Sequence, residues 1–213
     1  LLGIDVAGVQ EFVASSRKLR DVWVSSYLVS LLVWYAILPF VEEWGPDVVI
    51  IPSLRMNPFF LHWIAGKLKG KAPDAAYLIE KLAKKYVYMS DGLRQLYEKL
   101  GMPPYAAFPE RGVLILPPEA VQSKEGAEEL VKKRVNSAWE RLWVSASKLA
   151  QERAGSSLTW RFVRKVFEHY EESFGGTGFE GTSPLVLRVH LERVDAGKER
   201  WRVYNDTYRR LAK

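Results

Sequence analysis

Cysteine is absent from all 213 residues, which excludes disulfide frameworks, thiolate metal sites and cysteine nucleophiles together. Such a chain suits a reducing compartment, and a cytoplasmic setting is the expectation. Histidine is scarce as well. His62, His169 and His190 fall on three separate segments without H-E-x-x-H spacing, so nothing in the pattern brings two imidazoles to one metal. The chain has no Walker-type loop and no G-x-S-x-G elbow, and therefore lacks the defining residues of P-loop or α/β-hydrolase chemistry. It also lacks an initial Met and any charged segment leading into an apolar stretch and a small-residue cleavage site, the pattern expected of a fragment that is not secreted.

Hydrophobic residues make up 48% of the chain, enough for one good core, so a single domain over 1–213 is expected. Lys and Arg number 31 against 25 acidic residues, a net charge of +6 that favours anionic partners modestly. One long uncharged run, Val22 to Val41, has the length of a membrane span, with Arg17, Lys18 and Arg20 before it and Glu42 and Glu43 after it. Ser25, Ser26, Ser30 and Pro39 interrupt that run, and the strand-like "DVVIIP" follows at once. A helix packed on a sheet accounts for both features, and no membrane is expected.

The apolar opening "LLGIDVAG" reads as a buried first strand closed by Gly8. The helix after it can be capped by Ser15, Ser16 or Asp21, and Val24, Leu28, Leu31, Tyr35 and Leu38 fall on one helical stripe. Asp47–Pro52 and Arg111–Pro117 read as the second and third strands, with a helical insertion over 53–110 between them. A strong helix pattern follows through Leu130, Val131, Val135, Ala138, Leu142, Val144 and Leu149, then a shorter helix over Trp160–Phe174. A glycine-rich joint, Gly175–Gly181, leads into the alternating strand "SPLVLRVHLERV". Without the insertion the order is βαββαβ, an α+β fold on the split ferredoxin-like plan.

Gly176-Thr177-Gly178-Phe179-Glu180-Gly181 spells G-x-G-x-x-G, but a helix precedes it and a strand follows, the reverse of a dinucleotide site. A flexible joint is the better reading. Acidic pairs such as Glu128-Glu129 and Glu171-Glu172 suit solvated helix faces. Tryptophans beside bases, as in Trp139-Glu140-Arg141, Trp160-Arg161 and Arg200-Trp201-Arg202, can stack nucleobases, although core packing of the indole is the commoner meaning. The opening stretch differs. A turn after a buried strand, then Arg17, Lys18 and Arg20, then a helix N-terminus, collects donors and positive charge where phosphate is well held.

"GVQEFVASSRKLRDVWVSSYLVS" (Gly8–Ser30) resembles the pattern G-P-V-Q-x-F-I, R-x-T-R-D-L-W, G-S-Y-L-L-S of the large subunit of Cmr-type (type III) CRISPR effector complexes. "DVVIIPSLRMNP" resembles the F-P-x-L-x-x-N-P segment of that family, and "FPERGVLILP" resembles its L-P-N-R-F-L-x-L-V-P segment. The three blocks stand in the family's order and cover the chain to about residue 150. Ala7-Gly8 replaces Gly-Pro, Leu19 replaces Thr, Ser25 replaces Gly, and Glu110 stands where Asn is common. The family's histidine-aspartate nuclease region, zinc-binding cysteines and Gly-Gly-Asp-Asp hairpin are not in this sequence.

The resemblance implies the first palm domain of such a subunit, half of a composite ATP site whose product is cyclic oligoadenylate. The Mg²⁺ or Mn²⁺ ligands belong to the second palm. Other Cmr-type subunits, guide RNA and target RNA are the partners it implies. The nucleotide-facing residues expected on this chain are Gln10 and Phe12 near the base, and Arg17, Lys18, Arg20, Ser25 and Ser26 near the phosphates, with Asp21 capping the helix. Asp5, the carboxylate on the first strand, is not an acidic position of the family pattern. No catalytic or metal-binding residue is expected on this chain, and a catalytically silent scaffold or RNA-contacting module of the same complex is the alternative.

Overall fold

The computed structural model describes residues 1–14, 16, 18–121, 123–154 and 186–192, with single positions at 165 and 209. Four strands form one sheet: β1 (Leu2–Ala7), β2 (Val49–Ile51), β3 (Arg111–Leu114) and β4 (Val186–Leu191). Their order is β2-β3-β1-β4, and each neighbouring pair is antiparallel. This is a mixed α+β fold.

Side chains alternate between faces along a strand. Leu2, Ile4 and Val6 of β1 therefore lie beside Leu114 and Val189 on one face, and all five are in the main core. That face carries two helices, α2 (Leu19–Trp44) and α6 (Lys124–Ala154). Ser123 starts α6 by accepting a hydrogen bond at Oγ from Gly126 N, 3.0 Å away. Ala127, Val131, Val135, Ala138 and Trp139 then recur at helical spacing and are buried. Val144 and Leu149, expected on the same stripe, are exposed: the core-facing positions end earlier on α6 than the apolar pattern does.

The buried stripe of α2 is also displaced from the one read in the sequence. Leu32, Val33, Ala36, Ile37 and Phe40 are almost fully buried, whereas Leu28, Tyr35 and Leu38 are half-buried and Val24 is exposed. From Val29 to Val41 the helix is covered nearly all round, so its apolar periodicity carries little directional information. By length and composition α2 could cross a membrane. In this fold 67% of its apolar window is buried within the protein, as a core helix requires. Glycine at 112 lets α2 approach the sheet, since a Cβ there would lie 2.8 Å from Ile37 Cδ1.

Between β2 and β3 lie α3 (Pro58–Leu68), α4 (Pro73–Leu82), a π-helical turn (Ala83–Val87) and α5 (Asp91–Leu100). Asn57 caps α3 by accepting from Phe59 N and Phe60 N, and donates through Nδ2 to Ala107 O at 3.3 Å. The way in is thereby tied to the way out. One residue later, Ser30 of α2 accepts from Phe108 N at 2.9 Å and donates to Phe108 O at 2.6 Å. Beyond this neck Tyr88 stacks on Tyr97, with ring centroids 4.7 Å apart, in a second small core with Ala83 and Val87.

Ser30→Ala strands two buried backbone groups of Phe108 and should cost about 2 kcal/mol in a denaturant titration. Asn57→Ala should cost about 1 kcal/mol, with a coupling above about 0.5 kcal/mol in the double mutant because both act on one neck. Gly112→Ala should destabilise by about 1–3 kcal/mol through overpacking, and Ile37→Val should recover part of that loss by withdrawing the clashing Cδ1.

Candidate functional site

The chain leaves β1 through Gly8, whose φ of +80° is a conformation that side chains disfavour. The short helix α1 (Val9–Ala14) follows, with Phe12 N donating to Gly8 O at 3.0 Å. Ser16 and Lys18 precede α2, and Ser15 and Arg17 lie outside the described residues. Gln10, Lys18 and Arg20 are exposed at this corner, and Phe12 is half-buried against the main core. Two cations thus stand exposed at the start of a 26-residue helix.

The serines are engaged in the helix. Ser25 Oγ donates to Asp21 O at 2.7 Å, which leaves it to accept from Ser16 Oγ at 2.9 Å, and Ser25 is buried. Ser26 Oγ donates to Val22 O at 3.0 Å. To donate to a phosphate, either hydroxyl must release a helix carbonyl. Asp21 does not cap α2. The N-cap is Lys18 without a side-chain bond, and Asp21 sits within the first turn, where its charge still complements the helix dipole. Its Oδ1 meets Arg20 Nε at 3.5 Å.

An aromatic that the sequence reading passed over stands at this same helix end. Trp23 is 42% exposed, and its ring lies 5.4 Å from that of Tyr27 at an interplanar angle of 21°. Trp23 lies one helical turn from Arg20 along α2. Tyr27 is buried, and burial pushes its phenol up to about 12, so it stays protonated. Farther along α2 a cleft of about 400 Å³ opens towards α3, walled by Trp34, Tyr35 and Trp63. At its mouth Lys67 pairs with Glu42 at 3.1 Å. Within the cleft His62 contacts Tyr97 Oη, and burial, reinforced by Lys69, lowers its pKa and favours the neutral imidazole.

Asp5 points from the face of the sheet opposite the helices. It is 4% exposed, and Arg111 Nε on β3 holds its Oδ1 at 2.9 Å. On the other side Arg188 of β4 is its register partner. A carboxylate set between two guanidinium-bearing positions is fitted to an ion pair, and it does not fit a divalent cation. Among the described residues no cluster of three His, Asp or Glu side chains could hold a metal ion. His190 lies 3.4 Å from Glu192 on the sheet edge. The glycine motif at 176–181, His169, the helix expected over Trp160–Phe174 and the Trp–Arg pairs at 160 and 200–202 lie outside the described residues.

The family model described as "CRISPR-associated protein Cmr2, N-terminal" matches residues 1–144. The chain belongs to this family. It is 35% identical over 230 aligned residues to the CRISPR system CMR subunit Cmr2 of Saccharolobus solfataricus, covering 99% of this chain and 21% of that protein. A second relative, Cmr2 of Pyrococcus furiosus, is 48% identical over 67 residues, 32% of this chain and 8% of that one. Among solved structures, the apo type III-B Cmr-beta cryo-EM structure aligns with a TM-score of 0.73 at 35% identity over 99% of this chain. The Cmr-beta structure bound to cognate target RNA aligns with a TM-score of 0.71, also at 35% identity. The chain spans about a fifth of the length of the Saccharolobus solfataricus relative and of these Cmr-beta chains.

The Asp5–Arg111 pair makes a clear test. Arg111→Met leaves a buried carboxylate without its partner and should cost about 3 kcal/mol or more. Replacing both, as Asp5→Asn with Arg111→Met, should recover part of that loss. Mn²⁺ should leave the Tm of the wild-type chain unchanged, whereas a specific rise in Tm abolished by Asp5→Asn would mark Asp5 as a metal ligand.

Proposed function

We propose that this chain is the first palm domain of a Cmr2-type large subunit, a single unit over 1–213 on the ferredoxin-like βαββαβ plan, with residues 53–110 inserted. The observation that carries this reading is the strand order β2-β3-β1-β4, reached through β1–α2–β2 and β3–α6–β4 connections whose helices share one face. That order supports the split βαβ plan, in which each crossover strand pair is separated by a strand from the other unit. Family membership adds the expectation of a palm-type nucleotidyltransferase subunit.

In this reading the corner from Gly8 to Ser26 supplies half of a composite ATP site for cyclic oligoadenylate synthesis. Lys18 and Arg20, with Arg17 between the helices, attract the phosphates. Gln10 and the exposed ring of Trp23 are available to the base, and Phe12 supports the corner from below. Mg²⁺ or Mn²⁺ belongs to the second palm, because Asp5 is already paired with Arg111. Other Cmr-type subunits, guide RNA and target RNA are the proposed partners, in line with the Cmr-beta assemblies to which the chain is similar. A silent scaffold is the second reading, favoured by the serine hydroxyls being occupied within α2.

ATP binding separates the two. The isolated chain, given ATP with Mg²⁺ or Mn²⁺, should form no oligoadenylate, since no carboxylates converge on a metal site among the described residues. In the full-length subunit, Lys18→Ala and Arg20→Ala should each weaken ATP binding about tenfold, the loss of one charge-assisted contact, without lowering Tm. Unchanged ATP affinity in both variants would make the stretch a structural corner and leave the scaffold reading.

A further inference from the structure

The wall of the cleft between α2 and α3 contains a glycine that the fold itself does not require. Gly66 lies inside α3, where glycine is a poor helix former, and the C-cap of that helix is Lys69. Its φ is not positive, and a Cβ added there would meet nothing within 4 Å. Neither a turn nor the close approach of another segment accounts for it. The absent side chain leaves open space on the cleft wall, one helical turn from His62.

The polar groups of the cleft are incompletely used. Tyr27 is another lining residue and is buried, and its Oη has no hydrogen-bond partner among the described residues. A buried hydroxyl left in this way is costly, and a ligand that bonds to it relieves the cost. His62 Nδ1 lies 3.3 Å from Tyr97 Oη, which leaves Nε2 as the second hydrogen-bonding atom of the imidazole. Five of the twelve lining residues are Phe, Tyr or Trp, so the walls are largely planar rings. The cleft's volume of about 400 Å³ suits a small ligand, for which sites of about 300–1,000 Å³ are usual.

Cations rest on the rings of both walls. Arg141 of α6 lies 5.7 Å from the Tyr35 centroid, and Lys67 lies 5.7 Å from that of Trp63. Lys67 is shared with Glu42, whereas the exposed Arg141 has no ion pair among the described residues. A nucleotide combines a planar face, a hydrogen-bonding edge and an anion, and no single protein side chain offers all three.

We propose that this cleft binds one nucleotide unit, its base against Tyr35 and Trp63 over Gly66, its edge towards Tyr27 and His62, and its phosphate at Arg141. The unit is either a free nucleotide or one unstacked base of a single-stranded RNA. The site lies farther along α2 than Lys18 and Arg20 and does not depend on the ATP assignment there.

The test uses the full-length subunit and two photoreactive probes, azidoadenosine monophosphate and a single-stranded adenosine RNA carrying one azidoadenosine. At least one probe should crosslink to peptides of α2 or α3 that contain Tyr35 or Trp63. Labelling by the monophosphate identifies a free nucleotide as the ligand, and labelling by the RNA alone identifies an RNA base. Gly66→Leu, which fills the open space, and Arg141→Ala, which removes the exposed cation, should each reduce the labelling about tenfold. Both positions are exposed, so Tm should not fall in either variant. Lys18→Ala and Arg20→Ala should leave labelling of the cleft unchanged, which separates this site from the corner. Absence of label from these peptides with both probes, or label undiminished in Gly66→Leu and Arg141→Ala, would overturn the proposal. Loss of cleft labelling in the Lys18 and Arg20 variants would overturn it too, by merging the cleft with the corner.

Discussion

The hydroxyl of Ser30 sets the geometry on which the other elements rely. Both backbone groups of Phe108 are bonded to this one atom inside the core, 78 residues away in sequence. A buried N–H or carbonyl without a partner is costly, so the segment entering β3 has one satisfactory position along α2. That position fixes where β3 starts, and β3 is the strand that separates β1 from β2. The clamp also frees the insertion to vary in shape. With Asn57 bonded to Ala107 at the same neck, helices α3 to α5 leave the sheet and return without disturbing its register.

This neck gives physical content to the sequence blocks that pointed to the family. Tyr27 and Ser30 end the first block, Asn57 and Pro58 end the second, and Phe108 opens the third. In the structure Tyr27 and Phe108 both pack on Phe59, at centroid distances of 5.5 and 5.7 Å. Three separated motifs thus meet at one place. Their order along the chain was readable, but their convergence was not, since a side chain binding a backbone across 78 residues leaves no periodic signal.

Elements with their own local signals were legible in advance. Strands β1 to β4 and the long helices α2 and α6 fall where apolar runs, glycine and proline placed them. Facing was less legible. The stripe on α2 is displaced because sheet, α6 and neck surround it, and Val144 and Leu149 continue a pattern on α6 after the core has ended. At the corner, Gly8 turns the chain with a positive φ, and Lys18 and Arg20 are exposed. Asp21 differs from the expected cap because the helix begins at Leu19, two residues earlier, and the hydroxyls of Ser25 and Ser26 are bonded to carbonyls within its turns. Along α4 both faces are apolar in the sequence, and only packing shows which of them is left outside.

The connection from β2 to β3 bears on how chemistry is divided in the proposed two-palm arrangement. A palm that binds its own metal ions needs carboxylates converging from neighbouring strand ends, and a tight hairpin is the economical way to place them. In this chain that connection is occupied by the insertion, with its ends joined at Asn57 and Ala107. The carboxylate on β1 is neutralised by Arg111, and the next strand adds Arg188 at the same level. The sheet face opposite the helices thereby gains positive charge where a catalytic palm would carry negative charge. In the proposed two-palm arrangement such a face suits an anionic substrate better than a divalent cation, which supports a substrate-holding role for this domain beside a metal-bearing partner.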